Sequence, residues 1–110
     1  MIKISAKHFV YFDVDDTLID WQKENTEYSV CFNSSIGIVS LEPKYDVIHK
    51  LKQHKKEGYA IVVGADWAEH VVKTLGLCDY VDLVIGKPNI YYDDLKCDVF
   101  MKNWIDTSHI

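Results

Sequence analysis

Acidic side chains gather at two places in the sequence, each directly after an apolar segment. Asp13 and Asp15 follow one such segment, Asp93 and Asp94 follow another, and Lys87 lies shortly before the second pair. Carboxylates held at one place repel one another, and a bound hard cation such as Mg²⁺ removes that repulsion because it prefers oxygen ligands. A lysine beside them would meet a negatively charged ligand, for which phosphate is the obvious candidate.

The apolar segments around these residues have the composition of buried strands. They are short and rich in β-branched and aromatic residues; they are His8–Phe12, Tyr59–Val63, Val81–Ile85 and Ile90–Tyr92. Ligands bind at the carboxyl ends of the strands in an open parallel sheet. We therefore expect the acidic residues and Lys87 to meet at one edge of such a sheet.

Two helices and a hairpin are predicted between these strands. Pro43 suits the first turn of a helix that ends at Gly58, and a second helix is expected from Asp66 to Gly76. Residues 28–41 favour a β-hairpin, because a turn signal separates two strand-like segments.

The order of these elements predicts an α/β fold, namely a three-layer, Rossmann-like parallel sheet with helices on both faces. We expect residues 1–110 to form a single domain, because the chain has room for one core and shows no linker or internal repeat. Residues from about 21 to 42 are expected to form a β-hairpin flap.

Composition narrows the class of protein and of partner. The formal net charge of −5 argues against a general nucleic-acid binder, although it does not exclude local recognition of one phosphate. No apolar run approaches the length of about 20 residues that a membrane span needs, so no membrane partner is expected. Three widely separated cysteines indicate reduced thiols rather than disulfides or a zinc site, which favours a cytoplasmic location.

Four segments resemble the motifs of the haloacid dehalogenase (HAD) superfamily, in the form of a small, capless phosphatase. Residues 10–19 (VYFDVDDTLI) look like its first motif, an apolar strand followed by D-x-D-x-T, and residues 58–63 (GYAIVV) resemble the second-motif strand. Gly86–Lys87–Pro88 resembles the third motif, and residues 91–94 (YYDD) resemble the fourth. The order agrees with that of the superfamily, and the match spans roughly residues 8 to 95.

The resemblance implies a phosphomonoester hydrolase that acts through an aspartyl-phosphate intermediate. Asp13 would be the nucleophile, and Asp15 the general acid that protonates the leaving oxygen and then activates water. Thr17 would hold the loop geometry by a local hydrogen bond to the backbone. Lys87 would neutralise charge on the nucleophile and the transferring group. The substrate would be a phosphorylated small molecule or macromolecule that reaches an open site.

The same resemblance implies Mg²⁺ as the cofactor. The predicted ligands are the Asp13 carboxylate, the Asp15 backbone carbonyl, and Asp93 or Asp94, between which the sequence does not decide. Asp16 is interpreted as a turn residue without a catalytic role.

The second motif departs from the superfamily pattern, in which a Ser or Thr hydroxyl after the strand binds the phosphoryl oxygen. Here Val63 is followed by Gly64 and Ala65. Three explanations stay open: the backbone N–H groups of Gly64 and Ala65 bind phosphate unaided, the chain is a silent phosphate- or metal-binding or regulatory module, or the given sequence lacks loop residues. A receiver-like domain that keeps phosphate on Asp13 is a further alternative, against which Asp15 argues because an acid/base promotes loss of the phosphate.

Overall fold

Eight helices and strands make up the part of the chain that the computed structural model describes, which is residue 4 and residues 8–64, 66–96 and 105–107. In chain order they are β1 (Phe9–Asp13), β2 (Ile19–Glu24), β3 (Val30–Ser34), β4 (Gly37–Pro43), α1 (Tyr45–Lys56), β5 (Ala60–Gly64), α2 (Ala68–Thr74) and β6 (Leu83–Ile85).

The parallel sheet has the strand order β1-β5-β6. Asp13, the last residue of β1, pairs with Gly64, the last residue of β5, and Gly64 in turn pairs with Ile85 at the end of β6. The carboxyl ends of all three strands therefore lie at one edge, where the sequence predicts the site. Burial of all five residues of β5 explains why this strand reads as a continuous apolar run.

The second sheet is antiparallel and has the order β2-β4-β3. Strands β3 and β4 form a hairpin around Ser35 and Ile36, with Ser34 paired to Gly37. Strand β2 joins β4 on its other side, so this part of the chain contains a three-stranded sheet. The sequence does not signal β2 (IDWQKE), because four of its six residues are polar. In the structure only Ile19 of this strand is fully buried.

Both helices are short and amphipathic. Helix α1 buries Val47, Ile48 and Leu51, and the chain leaves it through Gly58, whose φ of 92° suits a residue without a β-carbon. Helix α2 buries Ala68, Val71 and Val72. The predicted first-turn residue of α1, Pro43, is instead the last residue of β4.

The predicted three-layer, Rossmann-like fold is wrong. The parallel sheet has three strands, and in the described residues the two helices share one hydrophobic core with Ile61 and Val63 of β5. Ala60 and Val62, whose side chains point to the opposite face, lie outside that core cluster. The order β1-β5-β6 follows the chain in one direction, and right-handed connections then place both helices on the same face.

Residues 86–96 form a loop and contain no strand. The predicted fourth strand, Ile90–Tyr92, is therefore also wrong, and its three side chains are exposed. For residues 97–105 the sequence also predicts a last strand or a short helix, and of this range only Ile105 belongs to the described residues. In the described part of the chain, neither helix has the length and apolar character that crossing a bilayer requires.

Candidate functional site

Asp13 and Lys87 form an ion pair at the carboxyl edge of the parallel sheet. Lys87 Nζ lies 3.1 Å from Asp13 Oδ1, and the two side chains are 58% and 27% exposed. Asp13 closes β1, and Lys87 comes two residues after the end of β6, so the sheet brings together residues that are far apart in sequence. The second oxygen, Asp13 Oδ2, is not part of this ion pair. It belongs to a partly exposed carboxylate that lies next to a positive charge. An electrophile with an anionic periphery, such as a phosphoryl group, fits this arrangement.

The turn after β1 is organised by one backbone acceptor. The carbonyl oxygen of Val14 accepts hydrogen bonds from the N–H groups of Thr17, Leu18 and Ile19, at 2.9–3.2 Å. Asp16 adopts a φ of 58°, and its Oδ1 accepts a hydrogen bond from Trp21 N at 3.0 Å. The structure thus gives Asp16 a place in the turn, in line with its interpretation as a turn residue.

Asp15 is held by two indole groups. Its Oδ1 accepts hydrogen bonds from Trp21 Nε1 at 2.9 Å and from Trp67 Nε1 at 3.0 Å. The two indole rings lie 5.8 Å apart between centroids. Oδ2 takes part in neither bond, so the carboxyl group is oriented while one oxygen stays available for a proton.

Sequence reasoning does not find these two tryptophans as positioning residues. Trp21 belongs to the unpredicted strand β2. The sequence predicts Trp67 as a core or rim residue inside the second helix, whereas α2 begins only at Ala68. Phe32 and His70 pack against the Trp67 ring, at 5.9 and 6.4 Å between centroids. The antiparallel sheet and α2 therefore hold Trp67 in the orientation that serves Asp15.

Thr17 lies in the turn after β1, and Gly64 is the last residue of β5. Thr17 is fixed through its backbone N–H, and among the described residues its hydroxyl makes none of the hydrogen bonds that shape the turn. Gly64 lies at the end of β5, whereas α2 begins only at Ala68, so a helix start does not orient the Gly64 backbone. Ala65, the other predicted phosphate-binding residue, lies outside the described residues.

Tyr11 approaches Gly64 closely. A β-carbon added at Gly64 would collide with the Tyr11 hydroxyl, and it would also lie 2.7 Å from the Ile85 carbonyl oxygen. Burial raises the pKa of the Tyr11 phenol and the Asp13 carboxylate raises it further, whereas Lys87 opposes this shift. The phenol therefore belongs to the same electrostatic environment as the ion pair.

Asp93 is engaged within its own loop. Its Oδ1 accepts a hydrogen bond from Leu95 N at 3.1 Å, and its Oδ2 accepts one from the Tyr91 hydroxyl at 3.2 Å. Hydrogen bonding to the Leu95 amide, and then to the Asp94 side chain, lowers the pKa of Asp93. The structure thus shows Asp93 with its loop neighbours, and no contact links it or Asp94 to Asp13 among the residues described.

The predicted Mg²⁺ ligands do not form a metal-binding group in this structure. No cluster of three or more His, Cys, Asp or Glu side chains suited to a metal ion occurs in residues 8–64, 66–96 and 105–107. Asp13 Oδ1 is paired with Lys87, and both carboxylate oxygens of Asp93 accept hydrogen bonds within its own loop. The set of ligands does not fit as it stands, so no step of the reaction proposed for Asp13 and Asp15 passes through a metal ion.

Comparison with known protein families, with curated proteins and with solved structures finds no match to this chain. The functional interpretation therefore depends on the geometry at the carboxyl edge of the parallel sheet and on the motif resemblance described above.

Proposed function

We propose that the protein hydrolyses phosphomonoesters through an aspartyl-phosphate formed on Asp13. The observation that carries this proposal is the 3.1 Å ion pair between Lys87 and Asp13 at the carboxyl edge of the sheet. A carboxylate nucleophile alone would repel a phosphate ester, and an adjacent ammonium group offsets that repulsion. The D-x-D-x-T resemblance supports the same assignment.

The first step is attack of an Asp13 carboxylate oxygen on phosphorus. A P–O bond forms to Asp13 while the P–O bond to the leaving alcohol breaks. Asp15, starting as the carboxylic acid, gives its proton to the leaving oxygen. Its Oδ2 is the better placed oxygen for this transfer, because Oδ1 already accepts both indole hydrogen bonds.

The second step regenerates the protein. The Asp15 carboxylate takes a proton from water as that water attacks the phosphorus of the aspartyl-phosphate. Inorganic phosphate leaves, Asp13 returns to its carboxylate form, and Asp15 again carries a proton. Lys87 stabilises the anionic charge around phosphorus in both steps. The compartment proposed for this activity is the cytoplasm, on the basis of the cysteine content alone.

The test is release of phosphate from a generic aryl phosphate such as p-nitrophenyl phosphate. Asp13→Asn is expected to lower kcat by about a thousandfold or more, because the amide is a poor nucleophile. Asp16→Asn is the matched control in the same turn: it removes the same charge, keeps an acceptor for Trp21 N, and tolerates the φ of 58°. Equal rates in wild type and Asp13→Asn would refute the proposal.

A silent phosphate-binding module is the second candidate. It is favoured by the absence of a Ser or Thr hydroxyl directly after β5 and by the hydrogen bonds that engage Asp93 within its own loop. A folded protein that binds inorganic phosphate without releasing it from esters would support this alternative. The receiver-like alternative has a separate test. If Asp13 accepts phosphate and keeps it, mass spectrometry after incubation with acetyl phosphate would show a stable adduct.

A further inference from the structure

Gly64, the last residue of β5, has no side chain, and the side chain of Tyr11 on the neighbouring strand β1 fills the space. Tyr11 pairs with Val62, whereas Gly64 pairs with Asp13, two residues further along the sheet. The Tyr11 ring must therefore reach along the sheet toward its carboxyl edge. Its hydroxyl occupies the space that a β-carbon at Gly64 would need.

The Tyr11 hydroxyl is well placed to meet a ligand of the ion pair. Tyr11 and Asp13 alternate with Phe12 along β1, so both side chains are on the same face of the sheet. Tyr11 is 42% exposed, and within the described residues its hydroxyl takes part in no hydrogen bond. A polar group next to a charged pair, with its donor unused by the protein, is available to a bound anion.

We propose that Tyr11 is a substrate-binding residue whose hydroxyl donates a hydrogen bond to a non-bridging oxygen of the phosphoryl group at Asp13. This inference rests on the proposed function. The end of β5 offers no hydroxyl, because Gly64 has only its backbone groups. Tyr11 of β1 supplies a hydroxyl in its place. A β-carbon at position 64 would collide with this hydroxyl unless the Tyr11 ring moved away.

The chemistry of the phenol suits this role. A tyrosine hydroxyl carries its proton at neutral pH and can therefore donate to an anionic oxygen. Lys87 supplies charge, whereas the Tyr11 hydroxyl supplies direction, because the ring holds the donor at a fixed distance from the strand. Together they would orient the phosphoryl group for attack by Asp13.

The test compares wild type with Tyr11→Phe, which removes the hydroxyl and keeps the ring. The probe is inorganic phosphate, and its binding is measured by isothermal titration calorimetry and as competitive inhibition of p-nitrophenyl phosphate hydrolysis. Hydrogen bonds to charged groups predict a weakening of phosphate binding by about tenfold or more. Tyr28→Phe, at an exposed tyrosine beside β3, is the matched control and is expected to bind phosphate as wild type does.

Thermal unfolding without phosphate separates a binding role from a structural one. We expect Tyr11→Phe to have the melting temperature of wild type, because the lost hydroxyl bonds to none of the described residues. Phosphate binding by wild type with equal affinity in Tyr11→Phe would overturn the role of Tyr11 and leave the proposed function standing. Failure of wild type both to bind phosphate and to hydrolyse the ester would overturn the proposed function together with this inference.

Discussion

Trp67 donates a hydrogen bond from its indole nitrogen to Asp15 Oδ1 at 3.0 Å, across 52 positions of the sequence. This bond ties the residue in front of α2 to the turn after β1. Trp21 supplies a second indole N–H to the same oxygen. Asp15 is therefore oriented by residues from two different parts of the fold.

Trp67→Phe is expected to impair proton transfer by Asp15 while keeping an aromatic ring in place. The defect should be larger for an alkyl phosphate than for p-nitrophenyl phosphate, because a poor leaving group depends more on protonation. We expect kcat for the alkyl ester to fall by roughly tenfold, a fraction of what general acid catalysis contributes in total. The measurement is the ratio of the two kcat values, which a change in protein stability alone does not alter.

Trp21→Phe removes the other indole hydrogen bond to Asp15 Oδ1 and is the matched variant. Because both indoles act on one oxygen, the two substitutions should be non-additive when combined. An identical loss of kcat for the two esters in Trp67→Phe would contradict the assignment of Asp15 as the general acid.

Local signals locate β1 and β5 to within about a residue at each end, because both are apolar runs next to charged or glycine residues. They fail for Ile90–Tyr92, whose composition suits a strand but whose side chains are exposed in a loop. Composition measures preference, whereas a strand also needs a partner edge to satisfy its hydrogen bonds. The same limit explains the missed strand β2, which is polar and is stabilised by pairing with β4.

The candidate site was predictable where it depends on strand ends and not where it depends on tertiary contacts. The pairing of Asp13 with Lys87 follows from parallel strands that finish at one edge. The two indole hydrogen bonds to Asp15 and the approach of Tyr11 to Gly64 depend on side-chain geometry between separate elements. No spacing in the sequence carries that information.

Gly64→Ala is expected to destabilise the protein by roughly 1–3 kcal/mol, which is typical of overpacking. The new β-carbon would meet the Tyr11 hydroxyl and the Ile85 carbonyl oxygen, and the latter is part of the backbone and cannot rotate away. Gly86→Ala is the matched control, because a β-carbon there meets nothing within 4 Å. The measurement is the free energy of unfolding in urea. Equal stability of the two variants would contradict the close packing of Tyr11 and the Ile85 carbonyl oxygen around Gly64.

Asp82 gives the fold a pH dependence that is independent of catalysis. Its Oδ1 accepts a hydrogen bond from Lys55 Nζ at 2.8 Å, and its Oδ2 accepts one from Ile61 N at 2.7 Å. Burial acts to raise the pKa of Asp82, but these two partners outweigh it and hold the pKa below its ordinary value of 3.8. The charged form is therefore favoured in the folded protein.

A carboxyl group whose pKa is lowered by folding contributes stability above its unfolded pKa, and that contribution is lost as the pH falls through the folded pKa. Wild type should therefore lose free energy of unfolding below about pH 4. Asp82→Asn should be less stable at pH 7 by about 1–2 kcal/mol, because the charge-assisted bond to Lys55 is lost. This difference should shrink as the pH falls below 4, in urea titrations at each pH. Glu69→Gln, which breaks an exposed pair with Lys73, is the comparison variant and should change the pH profile by much less than Asp82→Asn, because water screens an exposed pair. A constant difference between wild type and Asp82→Asn from pH 7 to pH 2 would show that Asp82 does not carry the effect.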